Sequence, residues 1–199
     1  MAQIGASGEW TDAEEEKLKA TWVEEPPKLN STVTLAEYSD NWPRLFIGEE
    51  IRIREILGNR VLLLEHIGST SVPALAAKPI IDILLVVSDT TDEAAYVADL
   101  ERNGYKLVIR EPDWYEHRCL KGPATNINLH VYPPGSPEID KYLTFRDHLR
   151  KNEADRKLYE DTKRHLAARE WTYIQQYADA KDEVIQQIMK RAVNLTRVL

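Results

Sequence analysis

A loop of small and hydroxyl-bearing residues lies between two apolar runs in the 199-residue chain. It reads Gly68-Ser69-Thr70-Ser71, and Lys78 and Asp82 follow it closely. Glycine lets a backbone approach a ligand, and backbone N–H groups near a following helix terminus favour phosphate. Together with three hydroxyls and a lysine, the loop predicts a nucleotide- or phosphate-handling site. The competing interpretation is a turn that needs glycine, because the loop matches neither G-x-x-x-x-G-K-[ST] nor G-x-G-x-x-G.

Asp82 is a charged residue inside the apolar run from Ile80 to Leu84, which predicts an interior strand. A buried carboxylate is costly unless it has a partner. It can belong to a metal or phosphate site, because Mg²⁺ prefers carboxylate oxygens and keeps waters and substrate phosphates as its other ligands. The alternative is a structural aspartate that is satisfied by helix N–H groups or by Lys78.

Three histidines, His66, His117 and His130, lie in or beside predicted strands. If the sheet brings them together near Asp82, their imidazoles can serve as metal ligands or as an acid–base group. Each histidine taken alone fits a hydrogen-bonded core or edge position better, because spacing does not show that the three meet.

A second dense polar cluster runs from Glu111 to Arg118. Arg118 can bind a phosphate or a carboxylate through two hydrogen bonds. Trp114 can stack on a base, or it can anchor the loop that contains it. Cys119 is predicted to be a small buried residue.

Composition restricts the class of protein. Hydrophobic residues make up 43% of the chain and charged residues 30%, which is typical of a globular protein. A net charge of −7 argues against sequence-independent binding to nucleic acid, although a local basic pocket for one nucleotide or a structured RNA remains compatible with it. One cysteine excludes an intrachain disulfide framework and fits a reducing compartment. Without a signal-peptide pattern or an apolar run of roughly 20 residues, we expect a cytoplasmic protein with no membrane partner.

The elements that must position these residues follow from hydrophobic periodicity. The expected elements are a strand at 33–35, a helix from Asp40 to about Gly58, strands and a short helix within 62–87, a helix at 91–103, strands at 105–109, 116–120 and 126–132, and helices from Ser136 onward. This order predicts an α+β, or mixed α/β, domain. His148 and His165 lie on helix faces and are predicted to be solvated.

Residues 1–30 are predicted to form an N-terminal extension, followed by one domain at 31–199 with a C-terminal helical segment. Thr11 and Glu14 form a capping-box pattern that opens a short acidic helix ending near Trp22. The sequence Glu24-Glu25-Pro26-Pro27 then ends it. The extension can either pack through its apolar residues or move freely.

Further residues match the pattern of a known family. The chain resembles the GrpB family, a branch of the nucleotidyltransferase-fold superfamily, over about residues 33–193. The matching stretches are Val33-x-Leu35-x-x-Tyr38-x-x-x-Trp42-Pro43-x-x-Phe46, His66-Ile67-Gly68-Ser69-Thr70-Ser71-Val72-Pro73, Ala76-Ala77-Lys78-Pro79-Ile80-Ile81-Asp82, Glu116-His117-Arg118, Leu129-His130-Val131, Phe145-Arg146-Asp147 and Tyr159-x-x-x-Lys163. The long string from His66 to Asp82 is the most specific of them.

The resemblance implies a nucleotidyltransferase-like mixed sheet with helices packed on it. In active members of that superfamily, a Gly-Ser turn holds the triphosphate, and an Asp-x-Asp pair with a third carboxylate on a later strand binds two divalent metals. Gly68-Ser69 and Asp82 match this pattern. Leu84 stands at the position of the second carboxylate. His130, with Asn128 two residues before it, stands where the third is expected.

We therefore predict a small transferase that acts on a nucleotide or phosphorylated substrate, with one Mg²⁺ near Asp82. The expected catalytic residues are Asp82, His130 and His117; the expected phosphate-binding residues are Gly68, Ser69, Thr70, Ser71, Lys78 and Arg118; the expected metal ligands are Asp82, His66 and His130. The alternative is a non-catalytic nucleotide-binding or partner-regulating module that retains the pocket. Leu84 keeps both functions open, because a fold does not fix a reaction.

Overall fold

A mixed five-stranded sheet carries most of the residues singled out by the sequence, and the computed structural model describes residues 10–196. The strands in chain order are β1 (Lys28–Ser31), β2 (Leu63–Ile67), β3 (Ile81–Val86), β4 (Lys106–Glu111), β5 (His117–Lys121), β6 (Ile127–Tyr132) and β7 (Trp171–Tyr173). The five-stranded sheet has the order β2-β3-β6-β5-β4, in which β3 and β6 are parallel and the other neighbours antiparallel. The strand that carries Asp82 is therefore interior, as predicted.

Helices cover this sheet and form the C-terminal segment. They are α1 (Asp12–Thr21), α2 (Asn41–Leu57), α3 (Val97–Arg102), α4 (Pro137–Lys151), α5 (Glu153–Ala167), α6 (Ile174–Asp179) and α7 (Asp182–Thr196). Within the described residues no helix is both long and apolar enough to cross a membrane. The prediction of an α+β fold with a mixed sheet and a C-terminal helical segment is confirmed.

The two faces of the sheet pack against different helices. Ile81, Ile83 and Leu85 of β3 join the main core under α2 and α3, on what we call the α2 face. Leu84 packs with Ile67 and with residues of α4, on the α4 face. Since side chains alternate along a strand, Asp82 shares the α4 face with Leu84.

Several predicted elements differ in the structure. The predicted helix at 91–103 is interrupted, because Tyr96 has φ −144° and donates its buried hydroxyl to the Thr90 carbonyl. The predicted strand at 33–35 is wrong; the strand forms earlier, as β1, and pairs with β7, which the sequence did not predict. The short helix predicted within 62–87 is reduced to a 3₁₀ turn at Ser69–Ser71.

The prediction that His148 is solvated is wrong. Its side chain is 8% exposed, and Nε2 lies 2.6 Å from Asp155 Oδ2. Arg191 of α7 donates two hydrogen bonds to the same carboxylate, so this group of three side chains joins α4, α5 and α7. His165 is exposed, as predicted.

The N-terminal segment contains a helix, α1, and contacts the five-stranded sheet. The predicted capping box is confirmed, because Thr11 Oγ1 accepts the Glu14 N–H and the Glu14 carboxylate accepts the Thr11 N–H at 2.6 Å. After α1, Trp22 forms a β-bridge with Ile109 on β4. Residues 1–9 of the predicted extension lie outside the described residues, and its predicted boundary at residue 30 falls within β1.

Candidate functional site

Gly68 ends β2 directly beside Asp82. Its φ of 68° and ψ of −175° lie in a region that is essentially open to glycine alone. A Cβ atom on residue 68 would lie 2.4 Å from Asp82 Oδ2. The glycine is therefore required both by its conformation and by the close approach of the carboxylate.

The hydroxyls of the Gly68 turn (residues 68–71) have different surroundings. Ser71 Oγ donates to the Gly68 carbonyl at 2.6 Å, and Thr70 Oγ1 donates to the Ile80 carbonyl at 3.1 Å. These two buried side chains hold the turn in place. Ser69 instead faces α5, where Lys163 Nζ lies 3.1 Å from its Oγ.

Two arginines of α4 fix the turn from outside. Arg150 donates to the Ser71 carbonyl through Nε at 3.1 Å and Nη2 at 2.9 Å. Arg146 donates to the His66 carbonyl at 3.0 Å and to Glu65 at 2.7 Å. The backbone on both sides of Gly68 is therefore held by charged donors.

A row of side chains, which we call the histidine relay (Glu111, His117 and His130), crosses the α4 face towards Asp82. Glu111 Oε2 lies 2.7 Å from His117 Nδ1, and His117 Nε2 lies 3.1 Å from His130 Nδ1. His130 Nε2 then lies 3.8 Å from Asp82 Oδ1.

The hydrogen-bond partners of the relay assign the tautomers of both histidines. Burial lowers the pKa of His117 although Glu111 opposes this, so the neutral ring is favoured. Its Nδ1–H is donated to the Glu111 carboxylate, and its Nε2 then accepts the Nδ1–H of His130. A neutral His130 therefore presents the lone pair of Nε2 towards Asp82.

Asp82 is held in its ionised form by polar neighbours. Burial alone would raise its pKa, but the attraction of His130 in its protonated form, a hydrogen bond from Asn128 and the charge of Lys78 lower it below the usual value. Asn128 Nδ2 donates to Asp82 Oδ1 at 2.7 Å, and Lys121 donates to the Asn128 amide oxygen. The Asp82 side chain remains 28% exposed, so a ligand can reach it.

The structure does not bring His66 and Arg118 to this carboxylate. His66 lies on the α2 face, where its ring stacks on Phe46 at 4.8 Å and its Nε2 lies 3.1 Å from Thr70 Oγ1. Arg118 alternates with Leu120 of the main core and donates to Glu93 at 2.7 Å. Both side chains point to the α2 face, whereas Asp82 points to the α4 face, because successive side chains of a strand alternate between the two faces of a sheet.

Three lysines, which we call the lysine cluster (Lys78, Lys163 and Lys181), approach the turn from different elements. Lys78 Nζ lies 5.6 Å and Lys181 Nζ 4.8 Å from the ring centroid of Tyr177. Lys163 Nζ lies 4.9 Å from the ring centroid of Tyr159, whose hydroxyl hydrogen-bonds with Ser69. The predicted residues Ser69 and Lys78 thus meet two lysines that the site prediction omitted.

A signal for Lys163 exists in the sequence, because it lies four residues after Tyr159 and three before Leu166. This is the spacing of one buried helix face, and Lys163 is 2% exposed. A lysine at such a position requires an explanation. The sequence has no comparable signal for Lys181, because the turn between α6 and α7 was not predicted.

Few of the described side chains near Asp82 can serve as metal ligands. Within residues 10–196, no group of three or more His, Cys, Asp or Glu side chains is arranged to hold a metal ion. Leu84 is fully buried in the apolar cluster of the α4 face, and Glu65, its register partner on β2, is paired with Arg146. The residues present fit one cation anchored by Asp82, with a ligand and waters supplying the other donor atoms.

Comparison with known proteins supports the resemblance seen in the sequence. The family model described as "GrpB protein" matches residues 32–191. A UPF0157 protein of Halalkalibacterium halodurans is 56% identical over 192 residues, covering 96% of this chain and 98% of its own length.

Solved structures give the same result. The crystal structure of the conserved protein GrpB from Enterococcus faecalis is 36% identical and superposes with a TM-score of 0.72 over 82% of this chain and 99% of that one. A cytoplasmic RNA terminal U-transferase is 11% identical, with a TM-score of 0.36 over 64% of this chain and 43% of that one. This second likeness is too low to support an argument about activity.

Proposed function

The chain belongs to the GrpB family, and from that membership and the geometry of the Gly68 turn we propose that it is a small transferase acting on a nucleotide or phosphorylated substrate. The observation that carries this proposal is the pairing of Asp82 with His130 beside the turn. The Asp82 carboxylate lies 3.8 Å from the His130 Nε2, a nitrogen that can accept a proton, at a place where glycine permits the close approach of a ligand.

The transfer step can be derived from these groups. Ser69 and Lys78 hold the phosphate of the donor, and an acceptor hydroxyl gives its proton to His130 Nε2. The acceptor oxygen then attacks phosphorus, and the bond from phosphorus to the leaving-group oxygen breaks. Asp82 stabilises the resulting imidazolium, while the Nδ1–H remains hydrogen-bonded to His117.

A single Mg²⁺ fits the proposal, with Asp82 as its protein anchor and phosphate oxygens and waters as its other ligands. The ion would neutralise phosphate charge during transfer. His130 is a weaker partner for Mg²⁺, since imidazole suits Zn²⁺, Cu²⁺ or Ni²⁺ better, which favours its use as a base.

Replacement of Asp82 tests the proposal. Purified protein is incubated with each of the four nucleoside triphosphates, Mg²⁺ or Mn²⁺ and a panel of hydroxyl acceptors, and transferred label is measured. We expect Asp82→Asn to reduce transfer by about a hundredfold or more, because it removes the charge that stabilises the imidazolium. The matched control is Asp140→Asn on an exposed position of α4, which should transfer like the parent protein. Equal activity of the two variants would exclude Asp82 from the chemistry.

A second candidate, a non-catalytic binding or partner-regulating module, is favoured by the fully buried Leu84 at the position of a carboxylate. In this case nucleotides bind, but label is transferred to none of the acceptors. Calorimetry on the same protein preparation separates the two functions, because binding without turnover supports only the module.

A further inference from the structure

The lysine cluster lacks carboxylate partners at close range. Within residues 10–196, Lys78, Lys163 and Lys181 form no ion pair, although many exposed lysines and arginines do. Lys163 donates instead to two neutral acceptors, the Ser69 hydroxyl and the Ala76 carbonyl. Lys163 is buried and Lys78 and Lys181 are partly buried, and an ammonium group that leaves water without a counter-charge is costly.

The charge of Lys181 acts on both of the other lysines. Burial and the charge of Lys181 lower the pKa of Lys78 to about 8, and the same two causes lower the pKa of Lys163 to about 7. Burial also lowers the pKa of Lys181. Lys181 is thus close enough to Lys78 and to Lys163 to repel each of them when both partners are charged.

Other charged groups near the cluster offset its positive charge only in part. They are Asp82 on β3, Lys121 on β5, Glu160 and Arg164 on α5, Asp179 at the end of α6 and Asp182 at the start of α7. Glu160 is already engaged by Arg164 and by the Ala76 N–H, and Asp82 by Asn128. Lys121 adds further positive charge.

A buried hydroxyl beside the cluster is also unpartnered. Tyr177 is 1% exposed, and its Oη has no hydrogen-bond partner within the described residues. Its ring is contacted by the ammonium groups of Lys78 and Lys181, and its hydroxyl interacts electrostatically with Tyr159. An unpartnered donor among unpaired ammonium groups points to an anionic oxygen as the missing partner.

We propose that the lysine cluster, with Ser69 and the Tyr177 hydroxyl, binds a polyphosphate group, and that the site takes up protons when this group binds. The inference rests on the proposed function in that it names the part of the substrate held beside the Gly68 turn. Three ammonium groups from separate elements match the several charges of a di- or triphosphate better than the charge of one phosphate. The group can belong to a nucleotide or to inorganic polyphosphate.

Proton uptake follows from the charge of the ligand. The polyphosphate stabilises the ammonium forms, so the pKa values of Lys78 and Lys163 rise on binding. Near pH 8 the free site holds neutral amines that become charged in the complex. Affinity therefore falls as pH rises above the pKa values of the free site.

Isothermal titration calorimetry tests the proposal with tripolyphosphate, ATP and orthophosphate as separate titrants, without added divalent metal. Titrations near pH 8 in two buffers of different ionisation enthalpy measure the protons exchanged. We expect tripolyphosphate and ATP to bind with uptake of about one proton and orthophosphate to bind more weakly. Equal affinity for ATP and tripolyphosphate identifies the phosphate chain as the recognised group, whereas tighter binding of ATP adds recognition of the nucleoside.

Variants assign the binding to the cluster. Lys163→Met and Lys181→Met should each weaken tripolyphosphate binding by about tenfold, and Lys163→Met should also reduce proton uptake. The matched control is Lys157→Met, because Lys157 lies on the same helix but is 74% exposed and pairs with Asp161. Circular dichroism checks that each variant is folded, and the half-exposed Lys181 provides a second test if the Lys163 variant does not fold.

Three results would overturn the inference: no binding of tripolyphosphate, binding without proton uptake, or unchanged affinity in both cluster variants. The proposed function fails separately. If polyphosphate binds as expected but no transfer occurs, the inference stands and the transferase does not. If transfer occurs and both cluster variants keep the parent KM for the triphosphate, the transferase stands and the inference does not.

Discussion

Replacing Gly68 with alanine is expected to lower the free energy of unfolding by about 2–4 kcal/mol. Alanine is strained at φ 68° and ψ −175°, and its Cβ would lie 2.4 Å from Asp82 Oδ2 and 2.9 Å from Asp82 Cβ. Either Asp82 must move, which displaces the carboxylate from His130, or residue 68 must change conformation, which distorts the turn beside Asp82. We therefore expect loss of transfer activity together with the loss of stability, measured by chemical denaturation and by the label assay.

Gly48 provides the control for this prediction. It lies inside α2, and a Cβ added there would have no atom within 4 Å. Gly48→Ala should be neutral or stabilise the protein by up to about 1 kcal/mol, because alanine is the better helix former. If both glycine variants unfold at the same denaturant concentration as the parent, the close approach of Gly68 and Asp82 is not a constraint on the fold.

The second large effect is expected at Asp155. This carboxylate is 8% exposed, lies 2.6 Å from His148 Nε2 and accepts two hydrogen bonds from Arg191. Asp155→Asn leaves Arg191 without its counter-charge and the buried His148 without the carboxylate that its Nε2 contacts. We expect a loss of about 2–3 kcal/mol, below the full cost of breaking a buried pair because the Arg191 side chain is 40% exposed.

The pH dependence of this effect has a defined sign. Hydrogen bonds from Arg191 and then His148 lower the pKa of Asp155, although burial opposes them. The stabilisation is therefore fully present above the unfolded pKa of about 3.9 and is lost as pH falls through the folded value. Thermal unfolding of parent and variant should differ most above about pH 5 and converge in acid. The control is Asp161→Asn, because Asp161 forms an exposed ion pair with Lys157 on the same helix. This variant should change the free energy of unfolding by less than about 0.5 kcal/mol at any of these pH values. A constant difference across the pH range would contradict the prediction.

Periodicity predicted most of the sheet because its strands are apolar and bounded by turn residues. The run from Ile80 to Leu84 became the interior strand β3, and the alternating NINLHVY became β6. Periodicity failed where side chains redirect the chain. Tyr96 leaves helical geometry to bury its ring, and Trp171-Thr172-Tyr173 forms a short strand against β1, which is distant in sequence. Such long-range pairings leave little trace in a local window.

The site was predictable to the extent that it depends on one strand or one turn. Gly68 and Asp82 could be identified because a glycine after a strand and a charge within a strand are both exceptional. The separation of His66 and Arg118 from Asp82 depends on strand alternation, and it could have been anticipated once the strand limits were known. The convergence of Lys181 with Lys78 depends on how the C-terminal helices pack, which a single sequence does not specify.

The pairing of β1 with β7 has a consequence for folding during synthesis. The five-stranded sheet is complete once residue 132 has been made, so Asp82 and the histidine relay can assemble early. β1 is made before that sheet but finds its partner only when residues 171–173 appear, and Lys181 follows later still. Until then the nascent chain carries an unpaired strand edge, so we expect it to be more prone to aggregation than the finished protein. It also lacks part of the lysine cluster, so the proposed polyphosphate site is completed only at the end of synthesis.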